Sequence, residues 1–361
     1  MQQENKVYPG RISLVKRKLS ALKIHGIVFS NIFNIRYLSG FTGSDGVLII
    51  CPDGLALLVD GRYTTQAKLE VLNIPVIEYK DKVAAIITAI TALRLKRIGF
   101  EALSMSVDMH DQLTSRLEDG ELINIGNNLT FLRAYKDEAE ITFMKKAAAI
   151  SSAAIAALIC DIKTGCTERE LALQLELHAR RAGADGLAFE AIVAAGVNSA
   201  FPHAQPTDRK IKKGDFIVID FGVKYKGYCS DETCTFAFGQ LTDQQKNAYQ
   251  LVKQAHDDAI AAIRSNVTAS DVDHCARNVF GERYGQYFPH GTGHGVGLEV
   301  HEAPRLAPNS RDVLGAQMVI TVEPGLYIPG LWGIRIEDTV LVKENSCEIF
   351  TKMDKQLLII N

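Results

Sequence analysis

Apolar positions in the first third of the chain switch repeatedly between helical spacing and short continuous runs. Helical spacing predicts helices over 11–22, 62–72 and 82–95. Between them, 27–30, Val47–Ile50, Leu55–Asp60, Val76–Tyr79 and 97–101 read as strands. Pro52-Asp53-Gly54 is a turn signal that joins the second and third of these as a hairpin. Alternating helices and strands imply a small α/β domain with a mixed sheet. This part of the chain contains neither a Gly-x-Gly-x-x-Gly fingerprint nor a phosphate-binding loop, so no nucleotide is assigned to it. The turn-rich segment 125–133 reads as a linker, which divides a domain over 1–127 from one over 134–361.

The texture then changes to long helices separated by long strands. Asp137 followed by Glu140 is a variant capping box, and Thr167 with Glu170 and Thr242 with Gln245 are full ones. Ser270 is the expected cap of a fourth helix, and Gly183 the expected stop of the second. The strands 216–224, 228–238, 318–326 and 333–342 look antiparallel. Long helices on one face of such a sheet make the fold class α+β.

Composition narrows the setting. The 361 residues are 47% hydrophobic and 23% charged, enough to bury a core without disulfides or structural metal. A net charge of −2 creates no field that would recruit nucleic acid or an anionic membrane, so neither is an expected partner. The polar N-terminus lacks the apolar stretch of a secretory signal, and the apolar run 147–160 is short for a membrane span. Seven cysteines without a Cys-x-x-Cys pair read as free thiols in a reducing compartment, and a cytoplasmic location is the expectation.

The chemistry concentrates in two hairpins and a loop. In the first hairpin Asp220 and Asp231 lie 11 residues apart, with the turn near Lys226-Gly227. Folding the chain back near Tyr225-Lys226 sets the two aspartates approximately opposite one another on one face. Bare like charges in that position repel and require a proton or a cation between them. In the second hairpin Glu323 and Glu337 lie 14 residues apart about Pro329-Gly330, also facing each other. Ile320, Val322, Ile334 and Ile336 fall on the other face, as a core requires, while Arg335 shares the face of Glu337. One such pair could be a solvated surface pair, but two in one chain beside a histidine-rich loop point to a site. That loop carries His290, His294 and His301 among Gly291, Gly293, Gly295 and Gly297. His203 lies on a further turn-like segment. Four carboxylates and an imidazole can ligate two divalent ions, and this oxygen-rich set suits Mn²⁺, Fe²⁺ or Co²⁺ better than a thiolate-rich zinc site would. Two such ions can share a water and turn it into a hydroxide nucleophile at neutral pH.

The segments IVIDFG, YCSDETCTF, HGTGHGVGLEVHEAP, TVEPGLY and GIRIEDTV, in this order and spacing, resemble the pita-bread metallopeptidases, which include methionine aminopeptidase, prolidase and aminopeptidase P. The resemblance spans about 134–361 and implies a pita-bread catalytic domain. It implies Asp220, Asp231, His294, Glu323 and Glu337 as metal ligands, with Asp231 and Glu337 bridging. It further implies Glu323 as proton shuttle and His203 and His301 as hydrogen-bond donors to the scissile carbonyl and the intermediate. By the same resemblance His290 shapes a proline pocket, Arg335 holds the carboxylates in place and Tyr327 supports that network. The implied cofactor is two divalent ions, Mn²⁺ first, with Co²⁺, Fe²⁺ and Zn²⁺ as alternatives.

The stretch NIRYLSGFTGSDGVLIICPDGLALLVDGRYTTQA resembles the creatinase-like N-terminal domain of short bacterial aminopeptidase P proteins. It implies removal of the residue before an N-terminal proline, by a homodimer or homotetramer, with peptides carrying proline second as substrates. Xaa-Pro dipeptidase activity is the alternative, and a non-catalytic binding scaffold a remote one. At one position the chain departs from the pattern. The related sequences commonly read Asp-x-Thr-Arg-Thr after this aspartate, and Cys234 stands in place of the arginine. By alternation Cys234 faces away from the metals, so the change bears on support around the ligands or on an interface more than on ligation.

Overall fold

A computed structural model describes residues 4–361 of the chain, which form two compact units divided between Thr130 and Phe131. The first unit runs α1 (Glu4–Ala21), β1 (Gly26–Phe29), α2 (Ile32–Ser39), β2 (Val47–Ile50), β3 (Leu55–Asp60), α3 (Thr64–Glu70), β4 (Val76–Tyr79), α4 (Lys82–Ala92), β5 (Arg97–Phe100), α5 (Val107–Arg116) and β6 (Glu121–Asn124). Its six-stranded sheet has the order β4-β3-β2-β1-β5-β6, antiparallel across β1–β2–β3 and parallel outside them, so it is mixed as the pattern implies. The pattern does not reveal α2, α5 or β6. α2 is short and is set by its cap, with the Asn31 side chain accepting from the N–H groups of Phe33 and Asn34.

The second unit opens with α6 (Glu138–Leu158) and α7 (Glu168–Arg181), both entered through capping boxes. Next come β7 (Gly186–Leu187), β8 (Ile192–Ala195), β9 (Asp215–Phe221), β10 (Val223–Tyr225), β11 (Tyr228–Cys229) and β12 (Glu232–Phe238). A second helix pair follows, α8 (Asp243–Ala262) and α9 (Ala269–Tyr284). The strands β13 (Gly293–Gly295), β14 (Glu302–Leu306), β15 (Val319–Val322), β16 (Gly325–Ile328), β17 (Trp332–Arg335), β18 (Asp338–Val342), β19 (Cys347–Ile349) and β20 (Ile359–Ile360) complete it. The cap of α9 is Thr268 rather than Ser270. The extended backbone at Thr268 lets its hydroxyl accept from the N–H of Asp271, which sets the helix start two residues earlier. By length and hydropathy α6 could cross a bilayer, but half of its apolar window is buried inside this unit.

Each helix pair covers one sheet. α6 and α7 pack Ile155, Leu171 and Leu175 against Val193, Ile217, Ile219 and Phe236 of the sheet β20-β12-β9-β8. α8 and α9 pack Val252, Ala255, Val272 and Ala276 against Ile320, Val322, Ile334 and Ile336 of the second hairpin, which therefore face a core as the alternation requires. β15 and β18 belong to the sheet β14-β13-β15-β18-β19.

Neither long hairpin is continuous. The first turns at Lys226 and Gly227, both with positive φ (50° and 83°), a two-residue turn whose twist matches the strands. It breaks at Gly222 and Ser230-Asp231, where its tip joins β7 in a separate three-stranded sheet. The second breaks at Glu323-Pro324 and Ile336-Glu337, where its tip becomes the two-stranded β16–β17 sheet. The long strands expected over 216–224, 228–238, 318–326 and 333–342 are each two strands, and every break lies beside a candidate ligand.

The β16–β17 tip is seated on segment 196–200. The N–H of Gly333 donates to Ser199 Oγ (2.8 Å), and a Cβ at position 333 would stand 2.0 Å from the Ser199 carbonyl oxygen. The substitution Gly333→Ala must therefore push the tip off this segment. It is expected to cost about 1–3 kcal/mol, read as a lower urea midpoint with an unchanged m-value.

Candidate metal centre

The breaks converge. One oxygen each from Asp220, Asp231 and Glu337 can be chosen so that all lie within 4.8 Å of one another. His294 joins them, its Nε2 lying 3.5 Å from Glu323 Oε1 and 3.7 Å from Asp231 Oδ2. All five expected ligands thus surround one centre. Their register differs from expectation in one respect. Asp220 is paired with Thr233, and Asp231 lies two residues further along β12's approach, so the aspartates are diagonal neighbours on one face. The true turn is centred one residue later than the fold-back point assumed, and each step at the turn moves the partner by two. In the second hairpin Val322 pairs with Asp338 and Gly325 with Arg335, which leaves Glu323 and Glu337 facing each other in the gap.

The backbone at that gap bonds elsewhere. The N–H of Glu323 donates to the Thr292 carbonyl (2.7 Å), and that of Glu337 to the Thr233 carbonyl (3.1 Å). These bonds tie β15 to the histidine loop and β18 to β12. They swing the two carboxylates out of the ladder toward the aspartates.

The imidazole has a defined tautomer. His294 Nδ1 lies 3.0 Å from the Gly295 carbonyl, an acceptor, so Nδ1 carries the proton and Nε2 presents a lone pair to the carboxylates. Burial, reinforced by the neighbouring His301, pulls His294 down to about 4, so it is neutral at physiological pH, as a metal ligand must be.

The carboxylates are short of partners. Burial first, then the charge of Glu337, raises Asp231 well above the usual range. Burial and the charge of Glu323 do the same to Glu337. Burial pushes Glu323 up to about 8, against the pull of Arg335. Asp220 Oδ1 and Glu337 Oε1 are buried and accept no hydrogen bond. Buried carboxylate oxygens without donors, next to a lone-pair nitrogen, fit divalent cations.

Arg335 supports the group from one side. Its Nη2 donates to Asp220 Oδ2 (2.5 Å), its Nε to Thr233 Oγ1 (3.1 Å), and its Nη1 to Tyr327 Oη (2.7 Å) and to the Pro202 carbonyl (3.0 Å). Tyr327 in turn donates to His290 Nε2 (2.9 Å), because His290 Nδ1 faces the Gly291 carbonyl (2.9 Å) and holds its own proton there. Burial draws His290 down to about 4. The residues expected to assist thus form one directed chain from guanidinium to imidazole. His301 is more open and stacks edge-on against His294, with ring centroids 4.3 Å apart. His203 is exposed and follows Pro202, whose carbonyl Arg335 holds.

Several supporting residues escape a reading of sequence alone. Thr233 Oγ1 donates to Glu337 Oε2 (2.6 Å), Thr339 Oγ1 to the Asp231 carbonyl (2.7 Å), and Thr321 Oγ1 accepts from the His294 N–H (3.1 Å). Thr233 shares a strand face with Asp231 by the period of two, and that signal alone could have singled it out. Asp273, fully buried in α9, accepts from both N–H and hydroxyl of Thr292 (3.0 and 2.9 Å) and from Arg277 Nε (2.6 Å). Arg277 also holds the His290 carbonyl, so α9 fixes both ends of the Gly291–Thr292 turn.

A cluster of strand-end carboxylates with one neutral imidazole, cradled between two helix-covered sheets, defines a metallohydrolase. Residues 142–344 match metallopeptidase family M24, and residues 11–135 match the creatinase/prolidase N-terminal domain, so the chain belongs to family M24, whose members depend on a dinuclear metal centre. It is 37% identical to the Xaa-Pro dipeptidase of Pyrococcus horikoshii over 90% of this chain and 92% of that protein. Among solved structures it is similar to an Xaa-Pro dipeptidase from Bacillus anthracis (TM-score 0.94, 35% identity, 98% and 99% of the two chains). It is also similar to an X-Pro aminopeptidase from Thermotoga maritima (TM-score 0.87, 37% identity, 95% and 100%). The fold is a pita-bread catalytic domain preceded in the chain by a creatinase-like N-terminal domain.

The raised carboxyl groups make stability depend on pH and metal together. Without metal, the folded protein holds more protons than the unfolded chain between the usual carboxyl range and about 8 for Glu323. Stability therefore falls as pH rises through that window. A divalent cation takes the place of those protons. The gain in thermal midpoint on adding Mn²⁺ to EDTA-treated protein is expected to be small at pH 5 and to grow steadily to pH 8. A gain that does not vary with pH would mean that these carboxylates do not take up the ion.

Proposed function

We propose that this metallopeptidase hydrolyses the bond that precedes proline, with Xaa-Pro dipeptides as its first substrates. The observation that carries the choice of dipeptide is the placement of Arg305. It is the ladder partner of His294 in the β13–β14 pair, next to Leu306, which packs into the core. Opposed residues share a face, so Arg305 stands on the side of His294, with its side chain exposed. The free carboxylate of a dipeptide finds a cation there. Arg335 cannot serve, because Asp220, Tyr327 and the Pro202 carbonyl take up its donors. His290 is neutral at working pH. The names borne by the Pyrococcus and Bacillus relatives support the same choice. The aminopeptidase reading, expected first from the N-terminal third, is supported by the Thermotoga structure and stands second.

The residues divide the work as follows. Asp220, Asp231, His294, Glu323 and Glu337 would hold two divalent cations, Mn²⁺ first, with Co²⁺, Fe²⁺ or Zn²⁺ as alternatives. When bound, such a pair supplies Lewis-acid polarisation and a water acidic enough to attack at neutral pH. With the cations bound, the Glu323 carboxylate would take the proton of the attacking water and pass it to the proline nitrogen as the bond breaks. His301 and His203 lie on the open side, where they can donate to the scissile carbonyl. The Arg335–Tyr327–His290 chain keeps the Asp220 carboxylate and the His290 ring in fixed orientation. Proline fixes its own φ and lacks an N–H, which is why a dedicated site is needed for this bond. We also infer a reducing cytoplasmic setting, since all seven cysteines are free, and a homodimer or homotetramer.

Three measurements test this. With Mn²⁺-loaded protein, Xaa-Pro is expected to be cleaved faster than Xaa-Pro-Xaa. Arg305→Ala is expected to raise KM for the dipeptide about tenfold or more while sparing the tripeptide. Preference for the tripeptide by the wild-type enzyme would reverse the order of the two readings. Glu323→Gln is expected to lower kcat by about 10²–10⁴-fold on either substrate, and an unchanged rate would remove Glu323 from the proton pathway.

A further inference from the structure

Behind the metal-facing side of the two ligand strands lies a second ionic cluster, fully buried. Glu232 follows Asp231 and Asp338 follows Glu337, and strand alternation turns both side chains to the far face. Between them stands Lys355, delivered by the segment that precedes β20 and only 6% exposed. Its Nζ donates to Glu232 Oε1 (2.6 Å), lies 3.4 Å from Asp338 Oδ1 and contacts Cys234 Sγ (3.3 Å). The remaining partners hold both acids in place. Ser152 Oγ donates to Glu232 Oε2 (2.5 Å), the N–H of Met353 to Glu232 Oε1 (3.2 Å) and Thr351 Oγ1 to Asp338 Oδ1 (2.5 Å). Tyr249 Oη donates to the Lys355 carbonyl (3.1 Å), so the backbone that carries the ammonium is itself fixed.

β12 and β18 belong to different sheets and share no ladder. On the metal side they are joined through the Thr233 carbonyl, the Thr233 hydroxyl and the Thr339 hydroxyl. On the far side the one ammonium spans both strands. We propose that Lys355 is a positioning residue for the metal centre. By tying Glu232 to Asp338 it fixes the separation of Asp231 and Glu337, the ligand next to each. Cys234 on β12 lines the same pocket, its sulfur pointing at this ammonium. The positive charge enters the pocket from the C-terminal segment, next to a neutral side chain on β12. The inference rests on the reading of the five residues as a metal centre and is independent of which peptide is cleaved.

The test is calorimetric titration of Mn²⁺ into the metal-free, full-length protein. Wild type taking up two ions supports the metal-centre reading, and the ratio of variant to wild-type affinity tests the role of Lys355 separately. Lys355→Met is expected to weaken uptake of at least one ion by about 10–100-fold, the range seen when partners of metal ligands are lost. Adding Cys234→Arg to that variant is expected to recover most of the loss, because it returns a cation to the same pocket. A generally weakened fold would not recover in this way. If Lys355→Met does not fold, the pair Glu232→Gln with Lys355→Met removes both charges together, and the same loss of Mn²⁺ affinity is expected. A folded variant of either kind that binds Mn²⁺ as wild type does overturns the proposal.

Discussion

Negative charge gathered in a small buried volume is the constraint that organises this protein. Asp220, Asp231 and Glu337 approach one another within 4.8 Å, with Glu323 at their edge, and a single guanidinium reaches them. At about 4 Å and an effective dielectric near 20, each like pair repels by roughly 4 kcal/mol. A protein that only needed to be stable would spend backbone N–H groups on these oxygens. Here the N–H groups of Glu323 and Glu337 go to the histidine loop and to β12, and two carboxylate oxygens keep no donor at all. The arrangement is resolved by protons at low pH and by cations at working pH.

The fold meets that constraint by separating cost from support. Each half of the second unit places a helix pair over a sheet and buries a contiguous apolar core away from the ligands. Asp231, Glu323 and Glu337 sit where a hairpin leaves one sheet and enters another, with Asp220 within two residues of such a crossing. At such a crossing the ladder is already interrupted, so swinging a carboxylate out sacrifices no regular pairing. Threonines at 233, 321 and 339 bond across the gaps, because a hydroxyl can both donate and accept where a peptide group is missing.

Much of this was legible along the chain. Period-two alternation places Ile320, Val322, Ile334 and Ile336 in the core and both glutamates on the opposite face, and capping boxes mark α6, α7 and α8. What remained hidden has a common cause. The diagonal offset of Asp220 and Asp231 depends on one residue at the turn, which no periodicity records. Asp273 and Lys355 act across 19 and 123 residues of sequence, and neither sits in a motif. The sheet-to-sheet breaks are invisible because strand residues on both sides look alike. Cys234 illustrates the gap: alternation tells which way it points, but only the fold reveals the ammonium it meets.

The ligand set cannot by itself decide between a dipeptidase and an aminopeptidase. Both reactions break the same bond by the same attack, so the residues that hold the metals and move the proton are common to both. The difference lies in what the substrate presents beyond proline, a full negative charge in one case and a neutral peptide in the other. Recognition of charge needs a cation that the centre has not already consumed. Arg335 is committed four ways, and the imidazoles of His290 and His294 are held neutral by burial. Neutral imidazoles can orient a carbonyl but give little preference for a carboxylate. On the dipeptidase reading proposed above, the discriminating charge would come from the margin of the site, and the exposed partner of His294 in the β13–β14 ladder, Arg305, is the side chain assigned to it. Substrate length can then be altered at the margin of the site while the metal centre behind it stays the same.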